Sequence, residues 1–356
     1  MRILQIIDSL NPGGAERMAV NYANALTKKI QFSGLIATRS EGSLKKQIDP
    51  EVSYLFLKKK KNIDFRAIFR LRKYIVQNKV ETIHAHSSSF FISVLVKLTL
   101  PRIRIIWHDH YGSRAKETIK DNKVLFSLSI FFSAIFVVNH QLEDWNKKNM
   151  KCSRVIFIPN FANTQNNDEQ ITNLIGKAGK RIVFLANLKK PKNHILILKV
   201  FESLKLNESG WSLHLIGKDY FDSYSDILKE FIKKHSLANN IHLYGEKSDV
   251  RYILSQSSIG VLASTEEGFP VTLLEYALEG LAVLSTSVGY CSSLIKNNFN
   301  GLLFNPLSEV EAKEQLIRLI SEQDLRNKFG DNLKQSVLNN YSETLVIEKL
   351  ILEYKK

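Results

Sequence analysis

Ser258-Ile259-Gly260-Val261-Leu262-Ala263-Ser264 leads, through Thr265 and Glu266, into Glu267-Gly268-Phe269-Pro270-Val271-Thr272-Leu273-Leu274-Glu275. The first run is short and apolar, as expected of a strand buried on both faces. The second begins with a glycine loop and then reads as a helix. Pro270 suits a first helical position, because its fixed φ fits the helix and its missing N–H costs nothing there. Residues 271 to 278 are otherwise almost entirely apolar, so this helix reads as buried rather than amphipathic. A strand, a glycine loop and a helix start form the place where open α/β sheets bind ligands. The first helical N–H groups lack intrahelical acceptors and favour an anion such as a diphosphate. Glu267 lies in the loop before those donors and Glu275 on the helix behind them. Carboxylates accept hydrogen bonds from hydroxyl pairs, so the layout suits sugars flanking a phosphate, as in a nucleotide-sugar. Glu275 and Glu279 also stand four apart, the spacing of an ordinary solvated helix face.

Outward from this stretch, strand-like runs alternate with helical patterns from end to end. The first-half strands are expected at Ile3–Ile7, Gly34–Thr38, Val52–Leu57, Thr82–Ala85, Ile103–Trp107, Ile135–Val138 and Val155–Ile158. The second-half strands are expected at Ile182–Leu185, Ser212–Ile216, Ile241–Leu243, Ile259–Leu262 and Ala282–Ser285. Residues such as Phe65, Ile68, Phe69, Leu71, Ile75 and Val76 recur at the three- and four-residue spacing of a helix. Repeated β-α units imply parallel sheets covered by helices on both faces. Asn160 to Lys177 is rich in Asn, Gln, Asp and Thr and reads as a linker. The expected domains are therefore residues 1–163 and 178–356, with the final helix, about 343–354, able to pack on either.

The formal charge of +15 biases the surface toward anionic partners: nucleic acid, lipid headgroups or phosphorylated substrates. The two cysteines, Cys152 and Cys291, give no Cys-x-x-Cys and hence neither a disulfide framework nor a zinc site. Met1 to Asp8 carries too short an apolar run for a signal peptide and reads as a first buried strand. Val124 to Val138, the longest apolar run, is too short to span a bilayer. It reads as a helix ending near Ser133 and a strand after it. A cytoplasmic location is expected.

Asn11-Pro12-Gly13-Gly14-Ala15-Glu16-Arg17 follows the first strand and opens a helix. Gly13 and Gly14 let the backbone come close to a ligand. The dinucleotide fingerprint Gly-x-Gly-x-x-Gly and the Gly-x-x-x-x-Gly-Lys-Ser/Thr phosphate loop are both absent, so a nicotinamide cofactor is not expected. His84 and His86, and His108 and His110, cluster at strand ends, where polar groups of parallel sheets meet substrate. These pairs raise a metal reading, but no Asp-x-Asp pair accompanies them, and no metal is expected. In the second half, Leu185-Ala186-Asn187-Leu188-Lys189-Lys190-Pro191-Lys192-Asn193-His194 follows a strand and precedes a helix. Three lysines in four positions there can neutralise a diphosphate or form an ordinary basic turn.

Together these pieces resemble the retaining glycosyltransferases of family 4, which have the GT-B fold, over nearly the whole chain. Gly13-Gly14-Ala15-Glu16 matches the family's first glycine loop. His84-Ala85-His86-Ser87 and His108-Asp109 match its N-terminal-half motifs, and Ile158-Pro159-Asn160 its inter-domain stretch. Glu267 through Glu275 matches its Glu-x7-Glu motif, the most specific element, and Lys192-Asn193-His194 its lysine motif. Where the family commonly has Gly-Arg-Leu, this chain has Ala186-Asn187-Leu188, so the arginine is missing. Lys189 could supply the charge, without an arginine's bidentate fork.

The resemblance implies two doubly wound, Rossmann-like domains facing across a cleft. The first would serve the acceptor and the second a UDP- or GDP-sugar donor, with no cofactor. His108, Lys192 and Glu267 would be catalytic. Gly13, Gly14, Lys189, Gly245, Gly268, Phe269, Pro270, Val271, Thr272 and Glu275 would bind the donor. Charge grows on the leaving diphosphate, so fixed cations and N–H donors would supply most of the catalysis. Lys192, Lys189 and the N–H groups of Phe269 to Thr272 fill that role without a metal. Glu275 would hold the ribose, Glu267 the donor sugar's hydroxyls, and His108 would orient that sugar.

The expected product is a bacterial surface polysaccharide (capsule, O-antigen or exopolysaccharide), built on a saccharide or lipid-linked saccharide acceptor. The net charge and Lys58-Lys59-Lys60-Lys61, near Phe65, Ile68 and Phe69, suggest peripheral contact with the inner face of the cytoplasmic membrane. The same lysines also fit a solvated loop, and no nucleic-acid partner is expected. A sugar-nucleotide 2-epimerase of the same architecture and a non-catalytic membrane-surface protein are the competing readings.

Overall fold

The structure, a computed structural model, describes residues 1–161 and 170–356. The chain divides into two compact units, Met1–Asn163 with Glu343–Lys356, and Thr164–Ser342. The expected end of the first domain, residue 163, lies outside the described residues. The second unit begins before residue 178. The N–H groups of Ile171 and Thr172 donate to Asp249 Oδ2 at 3.1 and 2.6 Å, and that of Leu174 to Gln256 Oε1 at 3.0 Å. A segment poor in apolar residues is tied down here because side chains satisfy its backbone.

The first unit holds seven strands: β1 (Arg2–Ser9), β2 (Phe32–Ser40), β3 (Ser53–Phe56), β4 (Thr82–His86), β5 (Arg104–Asp109), β6 (Ala134–Val137) and β7 (Val155–Phe157). They lie in the order β3-β2-β1-β4-β5-β6-β7, and all neighbours are parallel. The second unit holds β8 (Arg181–Leu185), β9 (Ser212–Ile216), β10 (Ile241–Gly245), β11 (Ile259–Leu262), β12 (Ala282–Thr286) and β13 (Leu302–Phe304). Their order is β10-β9-β8-β11-β12-β13, again all parallel. β13 has only three residues, too few to show a period in the sequence. Burial on both faces explains why the central strands read as continuous apolar runs: Ile3, Leu4, Ile6, Ile182, Val183, Phe184, Ile259 and Val261 are all buried.

The direction of winding reverses between β1 and β4 in the first sheet and between β8 and β11 in the second. At such a switch point the flanking loops diverge and leave a crevice beyond the carboxyl ends of the strands. Each sheet therefore nominates one place for a ligand. The helix Gly14–Leu26 follows β1, and its Gly13–Gly14 start stands at the first. The loops after β8 and β11 stand at the second.

The final helix, Glu343–Lys355, belongs to the first unit. Val346, Ile347, Leu350 and Tyr354 are buried. Arg154 Nη2 donates to Glu353 Oε2 at 2.7 Å, and Arg104 Nη1 to the Tyr354 carbonyl at 2.8 Å. No helix among the described residues is long and apolar enough to cross a membrane.

Candidate functional site

In the second unit, the lysine turn after β8 and the two-carboxylate loop after β11 are tied together. Lys190–Lys192 forms a single 3-10 turn, closed by Asn193 in the left-handed region at φ 56°. The Thr265 N–H donates to the Pro191 carbonyl at 2.8 Å. Lys192 Nζ then reaches Glu267 Oε1 at 2.6 Å, and Ser264 Oγ donates to the same oxygen at 2.6 Å. Glu267 is thus held through Oε1. Lys192 stays about one-third exposed while Glu267 is 10% exposed.

The loop after β12 grips the same segment from the other side. Gly289 sits at φ +56°, and a Cβ there would lie 1.9 Å from the Glu267 carbonyl oxygen, so only glycine fits. The Tyr290 N–H donates to the Gly268 carbonyl at 3.2 Å, and its ring stacks on Phe269 with centroids 4.8 Å apart. The helix that follows is Val271–Leu278. Pro270 is its N-cap, at φ −79° and ψ 92°, not its first residue as the sequence suggested. The extended ψ carries the chain out of the loop before the helix starts. The helix is locked in place by Tyr276, whose hydroxyl accepts from the Leu185 N–H at 2.8 Å and donates to the Val261 carbonyl at 3.1 Å. Gly260 makes room for that ring, since a Cβ there would lie 2.5 Å from it. Val271 is buried; Thr272 and Glu275 are half-buried.

The other second-unit candidates lie at neighbouring strand ends. Gly245 takes φ +68° at the end of β10, and its carbonyl accepts from the Gly217 N–H at 2.9 Å. Asn187, which stands where the family commonly has arginine, accepts from the Lys218 N–H at 3.0 Å and serves the backbone of the adjacent loop. Lys189 is exposed, with its Nζ over the Tyr220 ring at 4.8 Å; Lys218 lies over the same ring at 5.4 Å. Tyr220 thus gathers two cations that the sequence showed only separately. Cys291 is buried, and burial first, then the nearby Glu267 charge, push its thiol above the usual range, so it stays protonated.

In the first unit, Gly13 is the N-cap of Gly14–Leu26, with extended backbone, and a Cβ at Gly14 would meet nothing within 4 Å. The nearby histidines form one stacked set. His84 and His86 lie on β4; His108 lies on β5, and His110 follows it. Ring centroids are 4.4 Å apart for His84 and His86, 5.1 Å for His84 and His108, and 4.1 Å for His108 and His110. Tyr22, from the helix Gly14–Leu26, packs against His84, His86 and His108 at 5.6 to 6.0 Å. Burial pushes His84, His86 and His108 well below the usual histidine range, and His110 down to about 3, so all four are neutral. Asp109 pairs with Arg114 at 2.8 Å, yet burial outweighs that cation and holds its carboxyl above the usual range.

His84, His86 and His108 offer nitrogens within 4.8 Å of one another, which raises a metal site. Both nitrogens of His84 are engaged, with the Tyr354 hydroxyl and His108. Both of His86 are engaged, with His110 and Gln5. His108 Nε2 alone of the six has no partner among the described residues. A groove of about 590 Å³ near Val76, Leu100 and Arg104 lies at the opposite ends of β4 and β5 and takes no part in this cluster. Sequence reasoning missed Gln5 and Tyr354, which complete the histidine set. The available signal was a single amide inside the apolar strand Ile3-Leu4-Gln5-Ile6-Ile7.

Residues 12–166 match the family model described as "Glycosyltransferase Family 4" and residues 165–336 that described as "Glycosyl transferases group 1". The chain is similar to an "Uncharacterized glycosyltransferase" of Haemophilus influenzae, 25% identical over 360 residues, covering 96% of this chain and 95% of the relative. It is 23% identical over 345 residues to a Campylobacter jejuni protein, covering 94% of this chain and 93% of that one. The latter is named as the GalNAc-alpha-(1->4)-GalNAc-alpha-(1->3)-diNAcBac-PP-undecaprenol alpha-1,4-N-acetyl-D-galactosaminyltransferase. Among solved structures, Anabaena HepE in complex with UDP and glucose superposes with TM-score 0.83 at 13% identity, covering 100% of this chain and 99% of that one. Two Rossmann-like sheets of this kind are the GT-B fold.

Proposed function

Since this chain belongs to the glycosyltransferases that the family 4 and group 1 models describe, we propose that it moves a sugar from a nucleotide diphosphate donor to a lipid-linked saccharide, with retention at the anomeric carbon. The product would be a bacterial surface polysaccharide. The observation that carries this reading is the Lys192–Glu267–Ser264 cluster at the head of the helix Val271–Leu278. Lys192 and the first helical N–H groups stabilise the charge that grows on the leaving diphosphate. Glu267, held on Oε1, offers Oε2 to the hydroxyls of the transferring sugar. Glu275, one helical turn in, accepts from the ribose. Lys189, with Lys218 beside it over Tyr220, supplies the charge that the missing arginine would otherwise bring. His108 orients the donor sugar, and Gly13–Gly14 admits the acceptor or phosphate. No divalent ion has a role in this reaction.

The lipid-linked acceptor is favoured by the Campylobacter relative, whose name contains PP-undecaprenol. It is favoured also by a surface of the first unit. Phe65 and Phe69 are 72% and 69% exposed on the helix Phe65–Gln77, with Arg66, Arg70, Arg72 and Lys73 exposed around them. Ile68 and Lys59, counted with this surface from sequence, are buried. The contact is therefore made by exposed aromatic rings and the remaining cations, as in helices that lie in a membrane interface. On this reading the enzyme works peripherally at the inner face of the cytoplasmic membrane.

The test is a thermal-shift screen against UDP- and GDP-sugars, followed by calorimetry on Glu275→Ala. A ligand at 100 times its dissociation constant adds about 2.7 kcal/mol of stability, so a true donor stands out. Glu275→Ala is expected to weaken binding of both the nucleotide and the nucleotide-sugar. Unchanged nucleotide affinity in that variant would overturn the ribose assignment. Conversion of the sugar nucleotide without any acceptor would replace transfer by epimerisation.

A further inference from the structure

The four stacked histidines are joined to Gln5 and Tyr354 by hydrogen bonds whose directions can be worked out one from the next. Gln5 is fully buried in the middle of β1. An amide oxygen only accepts and an amide nitrogen only donates. Gln5 Oε1 lies 2.8 Å from His86 Nε2, so that nitrogen carries the proton. Neutral His86 then has a bare Nδ1, which takes the proton of His110 Nε2 at 2.9 Å. Neutral His110 is left with a bare Nδ1.

The other arm starts from the same amide. Gln5 Nε2 donates to the Tyr354 hydroxyl at 3.3 Å. That hydroxyl therefore sends its own proton to His84 Nδ1 at 2.6 Å. His84 carries its proton on Nε2 and donates it to His108 Nδ1 at 3.0 Å. His108 ends with its proton on Nε2. The two chain ends, His108 Nε2 and His110 Nδ1, are buried and have no partner among the described residues. Their rings stack with centroids 4.1 Å apart. One end is a donor and the other an acceptor, which is the complement of a hydroxyl group.

We propose that Gln5 and Tyr354 are positioning residues that set His108 as a hydrogen-bond donor and His110 as an acceptor for a hydroxyl of the bound sugar. The substrate part rests on the glycosyl-transfer reading; the polarity of the network does not. An unpartnered buried polar atom is costly, and a network satisfied only when occupied is specific for its ligand. Gln5 controls both ends because it is the single group whose donor and acceptor cannot exchange without rotating the amide. Rotation would reverse every bond in both arms.

Gln5→Glu tests this directly. A carboxylate accepts on both oxygens, so Tyr354 must donate to it. His84 then donates from Nδ1 to the Tyr354 oxygen, and His108 donates from Nδ1 to His84 Nε2, leaving His108 Nε2 bare. The His86–His110 arm keeps its direction. Nitrogen-15 histidine spectra are expected to show all four histidines protonated on Nε2 in the native protein. In Gln5→Glu, His84 and His108 alone should switch to Nδ1. Adding Tyr354→Phe should abolish the switch at His108. Unchanged tautomers in Gln5→Glu, or a switch that persists without the Tyr354 hydroxyl, would overturn the relay.

The same spectra recorded with the sugar nucleotide selected by the thermal-shift screen read the hydroxyl contact. A shift of the His108 and His110 signals that UDP or GDP alone does not cause is expected; its absence would overturn the contact. Gln5→Glu should lower kcat roughly 10²- to 10³-fold, as for loss of one preorganised donor, with KM for the donor and affinity for the free nucleotide unchanged. A purely structural role would move nucleotide affinity and unfolding temperature with kcat. Failure of every sugar nucleotide to bind would reject the glycosyl-transfer reading while the tautomer result stood.

Discussion

Mild acid is expected to destabilise the first unit by an amount the buried histidines set. His84, His86, His108 and His110 are neutral in the folded state, with His110 down to about 3 and the others well below the ordinary value. Unfolding returns each to a pKa near 6.5. Below that value the unfolded chain binds protons that the folded chain does not, so stability falls as pH falls. Between pH 7.5 and 5.5 each histidine costs about 1.4 kcal/mol, and the four together about 5.5 kcal/mol. That is comparable with the whole stability of many domains. The loss continues down to the folded pKa values. Denaturant unfolding followed by tryptophan fluorescence reads it out. Trp107 and Trp145 lie in the first unit and Trp211 in the second, so a Trp211→Phe variant reports the first unit alone. A change below about 1.5 kcal/mol over this interval, no more than one histidine's worth, would show that the cluster is already charged or readily hydrated in the folded protein.

Lys192→Ala should lower turnover roughly 10²- to 10³-fold while the fold persists, because Ser264 still holds Glu267; activity within about threefold of the native enzyme would make Lys192 an ordinary surface residue. Gly289→Ala forces a Cβ against the Glu267 carbonyl at a positive φ. It should cost more than about 1 kcal/mol of stability and weaken sugar-nucleotide binding; calorimetry showing native affinity would mean that this loop does not shape the donor site. Full activity is expected in excess chelator, and activity that disappears there and returns with magnesium or manganese would sink the lysine-based mechanism. Binding to anionic vesicles should fade as salt rises from 0.1 to 1 M, where the screening length drops from about 10 to about 3 Å, and should fall in Phe65→Ser with Phe69→Ser; equal binding to neutral vesicles would refute the electrostatic part.

The sequence by itself determined the architecture to a large degree, and it named the motifs that meet in the second-unit candidate site. Buried parallel strands read as apolar runs because both faces are covered, and the loops after β8 and β11 follow directly in the chain. Lys192, Glu267 and the helix start could therefore be named together, since each is a local motif at a strand's carboxyl end. The sequence also contained the histidine pairs, but not their state. Whether they form a metal site or a neutral relay depends on which nitrogens face one another across β4 and β5.

Only the tertiary structure shows how the four rings are hydrogen-bonded, because it brings in Gln5 from β1 and Tyr354 from the final helix. It likewise decided that one Glu267 oxygen is already taken by Lys192 and Ser264, that Asn187 serves the backbone, and that Lys189 and Lys218 meet over one ring. It divided Lys58–Lys61 into exposed and buried members. Hydrophobic periodicity is a property of neighbours in sequence and is written along the chain. Hydrogen-bond direction, tautomer and charge pairing arise between residues hundreds of positions apart, and these exist only once the sheets have formed.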